Sequence, residues 1–290
     1  MLDMDLLKAF VSVVDAGGFT RAGERVHRTQ STVSQQIRRL EDQLGHQLLV
    51  RDARGVTPTA EGERLLGYAR RILALGAEAK AALSGDAPAL VVRLGIPDDF
   101  ALAALTQVIA DFARARPGVR LAVECGLSCD IAAAFARGDL DIALVKREPS
   151  SGPALAVWPE RLVWVTGRDV VVDPDTVPLV AFRQGCLYRN RAVHALEKAG
   201  RAWRIAYECP SLIGIDAALA GGLGVAVLST LSLYRREPSL RVLSAAELWP
   251  QIPPTELALR VADPACAATR DLAALVAGFC DREAACAAAA

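Results

Sequence analysis

A chain of 290 residues is long enough for two packed cores, and a hydrophobic share of 52% places it among globular rather than disordered proteins. Lys plus Arg (33) balance Asp plus Glu (33), which excludes a uniformly basic nucleic-acid coat but leaves room for a local basic site. No uncharged apolar run approaches the ~18 residues a membrane span needs, so no membrane partner is expected.

The first residues, MLDMDLLKAF, carry acids where a secretory signal would be basic, and no long apolar core follows. A cytoplasmic chain is the expectation. Leu6, Phe10, Val13 and Val14 share one side of a first helix that stops at paired glycines, a helix-stop signal. FTRAGERVH reads as a second, shorter helix with Thr20 as its N-cap. A third helix runs through TQSTVSQQIRRLEDQLG, residues 29–45. Val33, Ile37, Leu40 and Leu44 form its apolar face, and Ser31, Ser34, Gln35 and Arg38 lie opposite. LLVRDARGVTP alternates around a Gly turn, the pattern of a two-stranded hairpin. Between Thr20 and Arg54 there are seven Arg (21, 25, 28, 38, 39, 51, 54) against four acids (Glu24, Glu41, Asp42, Asp52).

Thr57-Pro58 reads as an N-cap followed by Pro at the first helical position. The helix it opens should run to about Ser84, roughly 40 Å at about 1.5 Å per residue. Leu65, Ala69, Ile72, Gly76, Ala79 and Leu83 make a heptad-like seam on it. Two readings stand for that seam: packing against a second copy of the chain, which we favour, or packing on the chain itself. SGDAPA (84–89) is a linker. Beyond it strands and helices alternate in two βαβ sets, so a mostly parallel sheet is expected in each of two lobes. ERLVWVTG and TELALRVAD are the natural crossings between lobes, and a last helix from about Cys266 to Cys280 should return to the first lobe before an Ala-rich, frayed tail.

Helix two, a short turn and helix three have the spacing of a helix-turn-helix, whose second helix leads into the DNA major groove with its N-terminal residues. Gln can bond adenine bidentately, and short Ser side chains let a helix enter the groove. Arg38, Arg51 and Arg54 would neutralise backbone phosphates, giving affinity and salt dependence rather than sequence choice. An ordinary solvated polar face is the competing reading. The seven cysteines are odd in number and scattered, and they read as reduced thiols acting as small hydrophobes. AGGLGVAVL follows a helix and opens a strand, the reverse of a dinucleotide-binding turn. Cys125 and Cys129 lack a second pair or a His cluster for zinc, and no G-x-S-x-G, P-loop or H-E-x-x-H occurs. No enzyme activity, cofactor or metal is therefore expected.

The stretch AGGFTRAGERVHRTQSTVSQQIRRLEDQLGHQLLVRDARGVTPTAEGERLL resembles the DNA-binding half of the LysR-type transcriptional regulators. Phe19-Thr20, Ser34, Ile37, Leu40-Glu41, Leu44-Gly45, Arg51 and TPTAEG carry the likeness, over about 65 residues, and the two-lobed remainder is similar in length and element order. The resemblance implies an α+β architecture. A winged helix-turn-helix (1–57) and a long linker or dimerisation helix (58–84) precede a two-lobed α/β effector domain (88–290) resembling periplasmic binding proteins. Lobe I would span about 88–161 and 264–290, and lobe II about 162–263. It further implies a sequence-specific regulator of transcription that binds double-stranded DNA as a dimer through the linker helix and as a tetramer, with RNA polymerase as a further partner.

On this resemblance Gln30, Ser31, Thr32, Ser34 and Gln35 face the groove; Gln35 stands where many members have Arg, and Gly23 where Ala is usual. A small-molecule effector would sit between the lobes, held by Asp98, Asp99, Ser128, Gln184 and Cys186. Two Asp would repel an anion unless protonated or paired, so the effector is expected to be neutral or cationic, or an arginine such as Arg189 offsets the acids. Capping of the next helix by Asp98 or Asp99 is the alternative. Cys186 lies between Arg183 and Arg189, charges that could lower its pKa, with Cys209 the nearest partner in sequence; a buried, inert thiol is the other reading. LGIPDDF and CLYR are similar to a branch of the family that represses motility and virulence functions in enteric bacteria. The rival class is a solute-binding or enzymatic α/β protein with a helical N-terminal module that does not bind DNA.

Overall fold

The computed structural model describes residues 2–52, 55–84, 90–100, 103–172, 176–233, 239–243, 249–263 and 265–289. The chain divides into one unit of Met1–Val91 with Ala134–Leu140 and a second of Val92–Ala133 with Asp141–Ala290.

The first unit opens with helices α1 (Met4–Ala16), α2 (Phe19–Arg25) and α3 (Gln30–Leu44), followed by a hairpin of β1 (Leu49–Asp52) and β2 (Gly55–Pro58) and a long helix α4 (Ala60–Ser84). Asp3 caps α1 by accepting from the Asp5 amide, and Gly17 ends the helix in the left-handed conformation (φ 64°) that glycine adopts without strain. Leu7, Phe10, Val13, Val33, Leu40, Leu48, Leu66 and Ala69 are buried in one core. The expected cap at Thr20 is corrected: α2 starts at Phe19 with Gly18 as cap, because the Phe19 ring anchors the start in that core.

The start of α4 also differs from expectation. Pro58 closes strand β2, pairing with Leu49. The cap is Thr59, whose hydroxyl accepts from the Gly62 amide (3.0 Å) and donates to the Gln47 carbonyl (2.8 Å), so the helix begins two residues later. Gly62 is needed there, since a β-carbon would overlap the Leu48 carbonyl. The seam on α4 divides. Ala69 is fully buried, Leu65 and Ile72 pack on the same core, and a β-carbon on Gly76 would lie 2.5 Å from the Met4 methyl, so this row meets the chain's own α1. Among the described residues, the large apolar side chains of α4 left in solvent are Tyr68 and Leu75, one heptad apart and each more than 60% exposed; Ala79 of the seam is exposed as well.

The second unit holds two five-stranded sheets. In the first, β3 (Leu90–Pro97) leads through a 3-10 turn (Asp98–Phe100) and α5 (Ala103–Ala115) to β4 (Val119–Gly126), then α6 (Ser128–Ala136), β5 (Ile142–Arg147) and β6 (Ala156–Glu160). The chain crosses at Arg161 into the second sheet: β7 (Leu162–Gly167), β8 (Thr176–Ala181), α7 (Leu187–Lys198), β9 (Ala202–Glu208), α8 (Leu212–Ala220), β10 (Val225–Ser229), α9 (Thr230–Leu233) and β11 (Leu240–Val242). It returns with β12 (Thr255–Val261) and ends in α10 (Ala267–Ala289).

The sheet orders are β4-β3-β5-β12-β6 and β11-β7-β10-β8-β9. Each is mixed, because the crossing strand runs antiparallel to its neighbours: β12 to β5 and β6, β7 to β10. β12 lies inside the first sheet, so lobe I resumes at about residue 255 rather than 264. Helix α10 continues to Ala289, nine residues beyond the expected end, as a run of strong helix formers allows. Gly221 to Gly224 make the turn into β10, with no room for a β-carbon on Gly224 beside the Pro178 carbonyl. The 85–89 part of the expected linker lies outside the described residues. Among the described residues no helix is long and apolar enough to cross a membrane.

Candidate functional site

Two surfaces carry polar groups that the cores do not use. The first is the N-terminal half of α3. Thr29 caps it: its hydroxyl accepts from the Thr32 amide (3.2 Å) and bonds the Ser31 and Thr32 hydroxyls (2.9 and 2.8 Å). This ties the predicted residues Ser31 and Thr32 to the start of the helix, while Gln30, Gln35 and Arg38 are exposed and Ser34 and Thr32 half-buried. Arg51 belongs to strand β1, and Arg54 lies outside the described residues.

The turn before α3 is tight. His27 adopts a left-handed φ of 52°, and Gly23 accepts from the Arg28 amide (2.9 Å). A β-carbon on Gly23 would stand 2.6 Å from the Arg28 carbonyl oxygen. The glycine at this position is therefore a fit to the turn, and its lower helix propensity is offset by that close approach. Glu41, one of the residues carrying the sequence likeness, accepts from the amides of Leu48 (2.8 Å) and Leu49 (3.3 Å) and so anchors the hairpin to α3.

The second surface is a cavity of about 360 Å³ in the second unit, between its two sheets. The end of β3, the starts of α6 and α7, and the ends of β5 and β12 line it. Asp98, Asp99, Ser128 and Cys186, all expected from the sequence, border it; the fifth expected residue, Gln184, does not, and its neighbour Gly185 does. Lys146, Arg147, Tyr188, Asn190 and Arg260 border it too, and sequence reasoning passed over them. Lys146 and Arg147 end a buried strand, where a charged pair after IALV was the only available signal.

Behind the cavity lies a closed polar network. Lys146 Nζ pairs with Asp99, bonds the Tyr188 hydroxyl, and lies 3.8 Å from Glu160. It also stands 4.3 Å from the Tyr188 ring centre, within cation–π range. The Tyr188 hydroxyl donates to Glu160 Oε1 (3.0 Å), and Thr255 donates to the other oxygen (3.0 Å). Asp99, Lys146, Glu160, Tyr188 and Thr255 are all under 9% exposed. Burial first, then the charges of Asp99 and Glu160, hold the Tyr188 phenol well above its ordinary range, so it stays protonated as a donor. Glu160 and Thr255 mark the two strand ends where the chain crosses between sheets, so the network ties both crossings to α7.

Lys146 therefore offsets Asp99, whereas Arg189 bonds Glu208 and the Phe182 carbonyl. Arg183 pairs with Asp130. Both arginines are thus engaged elsewhere, and burial pushes the Cys186 thiol up despite amide bonds from Arg189 and Tyr188 and the charge of Lys146. Cys209 sits beside Tyr207 and Gly214, and a β-carbon on Gly185 would meet the Cys129 sulfur at 3.5 Å. Cys186 lines the cavity as a half-buried thiol.

Residues 4–63 match the model "Bacterial regulatory helix-turn-helix protein, lysR family", and residues 85–281 match "LysR substrate binding domain". The chain belongs to the LysR family. This LysR-type regulator of transcription is 33% identical over 255 residues to the HTH-type transcriptional regulator PecT of Dickeya dadantii, covering 88% of this chain and 80% of that one. It is also 33% identical to DgdR of Burkholderia cepacia, covering 84% and 85%. Its fold is similar to the crystal structure of ArgP from Mycobacterium tuberculosis, with a TM-score of 0.68 at 22% identity over 96% of this chain and 98% of that one. The curated relatives bear names of transcriptional regulators, not of enzymes.

Proposed function

We propose that this LysR-type regulator reads its operator with Gln30, Ser31, Thr32, Ser34 and Gln35 of α3, and that Arg38, Arg51 and Arg54 hold the flanking phosphates. The observation that carries the reading is the exposed row Gln30, Gln35 and Arg38 on a helix whose opposite face is fully buried at Val33 and Leu40. Gln and Ser supply hydrogen bonds to base edges; the arginines supply salt-dependent affinity. Two copies would join through the exposed Tyr68 and Leu75 of α4, since the row at Leu65, Ala69 and Ile72 is already occupied by α1. Dimers would pair into tetramers on an extended operator and meet RNA polymerase there, in the cytoplasm. A small molecule would enter the cavity bordered by Asp98, Asp99, Ser128 and Cys186 and act by its different affinity for two arrangements of the oligomer. In this scheme Gln184 has no direct contact with the effector.

Footprinting of the purified protein on fragments of its own genome tests the DNA reading. Discrete extended sites, lost in Gln35→Ala and Ser34→Ala and weakened at all sites alike by Arg38→Ala, are expected. Diffuse binding unchanged by all three would overturn it and return attention to the solute-binding alternative.

A further inference from the structure

The cavity has two rims, and an ion pair crosses each of them. The first rim lies between the start of α6, on the side of the first sheet, and the turn from β8 to α7, on the side of the second. There Asp130 pairs with Arg183. A β-carbon on Gly185 would already be in van der Waals contact with the Cys129 sulfur at 3.5 Å, so the two sides nearly touch. The second rim lies between the end of β5 and α7. There Glu148 pairs with Arg191, which also donates to the Pro254 carbonyl (3.4 Å) just before β12.

The two rims are unequally secured. Arg183 and Asp130 are each about half exposed (51% and 53%), and a pair of that kind is loosened by water and salt. Arg191 is 17% exposed and is held by a backbone carbonyl as well as by Glu148. One turn earlier on α7, Tyr188 bonds Lys146 and Glu160 in the buried network, which fixes this side of the helix to the first sheet. The turn at the first rim has its own pivot. The Cys186 amide donates to the Arg183 carbonyl (3.2 Å), and Gly185 has a φ of 96°, in the left-handed region that glycine adopts without strain. Directly behind this turn the half-buried Cys186 borders the cavity.

Resting on the effector reading above, we propose that Arg183 and Asp130 form the gate of the cavity. Their ion pair closes the first rim, the turn swings on Gly185 to admit a small molecule, and the rim at Arg191 stays shut as the hinge side.

Cys186 reports the gate without any effector. The full-length protein is alkylated with iodoacetamide at mildly alkaline pH, and mass spectrometry of its peptides gives the rate at Cys186 against those at Cys209 and Cys280. A Cys129→Ser background is used, because the exposed Cys129 thiol stands in the rim itself. Asp130→Asn and Arg183→Gln should each speed Cys186 about threefold or more, as expected for losing a weak exposed pair, and leave the other two thiols alone. These substitutions change the local charge in opposite directions, so a shared acceleration reads opening rather than thiol ionisation. Raising sodium chloride from about 0.05 M to about 0.5 M, which screens exposed charges, should speed the parent protein and neither variant. The reversed pair, Asp130→Arg with Arg183→Asp, should restore the parent rate, and Glu148→Gln at the other rim should not change it. Cys186 rates that ignore both substitutions, or move in opposite directions, would overturn the gate; so would an equal acceleration by Glu148→Gln. The effector reading is judged apart, by whether any of a panel of amino acids, sugars and carboxylic acids raises the melting temperature. The gate stands or falls on the thiol rates whatever that panel gives.

Discussion

The DNA-facing unit and the effector unit solve the problem of placing polar groups in different ways. In the first, the polar residues proposed to read bases all come from one helix, and a single cap at Thr29 positions the leading ones. In the second, the cavity and the network behind it draw on residues from 98 to 260, and the partners of Lys146 lie 47, 42 and 14 residues away in sequence. The local surface can change residue by residue without disturbing the fold. The distributed one is also part of the core, so its chemistry and its stability are linked.

That difference sets the largest expected effect. Lys146→Met leaves Asp99 and Glu160 buried with no cation between them, and losing one member of a buried charge set costs about 3–5 kcal/mol. We expect a loss of that size in the urea unfolding transition of the second unit, with the helical unit unaffected. Asp99→Asn added to Lys146→Met should recover part of it. If the single variant unfolds like the wild type, the network contributes nothing, and the cavity floor is as tolerant as the α3 surface.

Gly23→Ala comes next and probes the local unit. Helix propensity alone predicts a gain of up to about 1 kcal/mol. The 2.6 Å approach to the Arg28 carbonyl predicts a loss of about 1–3 kcal/mol, because backbone would have to shift. Thermal melting should show destabilisation together with weaker operator binding, since the displaced turn carries Thr29. A stabilised variant would mean the turn relaxes freely. Thr59→Ala, which removes the cap of α4, should cost about 1 kcal/mol in the same assay.

The two regions were unequally legible. Periodicity and turn residues in the sequence defined α1, α3, the hairpin and the strand–helix alternation, since each depends on near neighbours. The start of α4 was misplaced because Pro58 suits a strand end as well as a first helical turn, and the choice rests on Thr59 reaching the Gln47 carbonyl. The seam on α4 was read for a partner copy, but spacing cannot distinguish packing on α1 from packing on a second chain. The family resemblance, not any local pattern, pointed to Asp98, Asp99, Ser128 and Cys186, which border the cavity. Lys146, Tyr188 and Arg260 were missed since nothing local separates a pocket cation from any strand-end charge.

Alkaline titration offers another contrast. Burial, then the charges of Asp281 and Glu283, push the Cys280 thiol up to about 12 from an ordinary 9.0. Between those values the unfolded chain has released the proton and the native chain has kept it. The native state then binds more protons, so stability falls as pH rises, at up to about 1.4 kcal/mol per pH unit from this group. Cys280→Ala should flatten the slope of stability between pH 9 and 12 relative to wild type; an unchanged slope would mean the thiol ionises in place.

The smallest effect is expected where the sequence pointed most directly. Arg189 was one arginine that could offset the two acids. In the fold it bonds Glu208, whose side chain is 48% exposed, and the Phe182 carbonyl. A pair with one partner half in solvent contributes about 0–1 kcal/mol. Arg189→Gln should therefore shift the melting temperature little and leave effector binding intact, whereas Lys146→Met should disturb both. The pair of variants separates nearness in sequence from nearness in space. If Arg189→Gln changed effector binding as strongly as Lys146→Met, the charge balance of the cavity would have to be redrawn around α7 rather than β5.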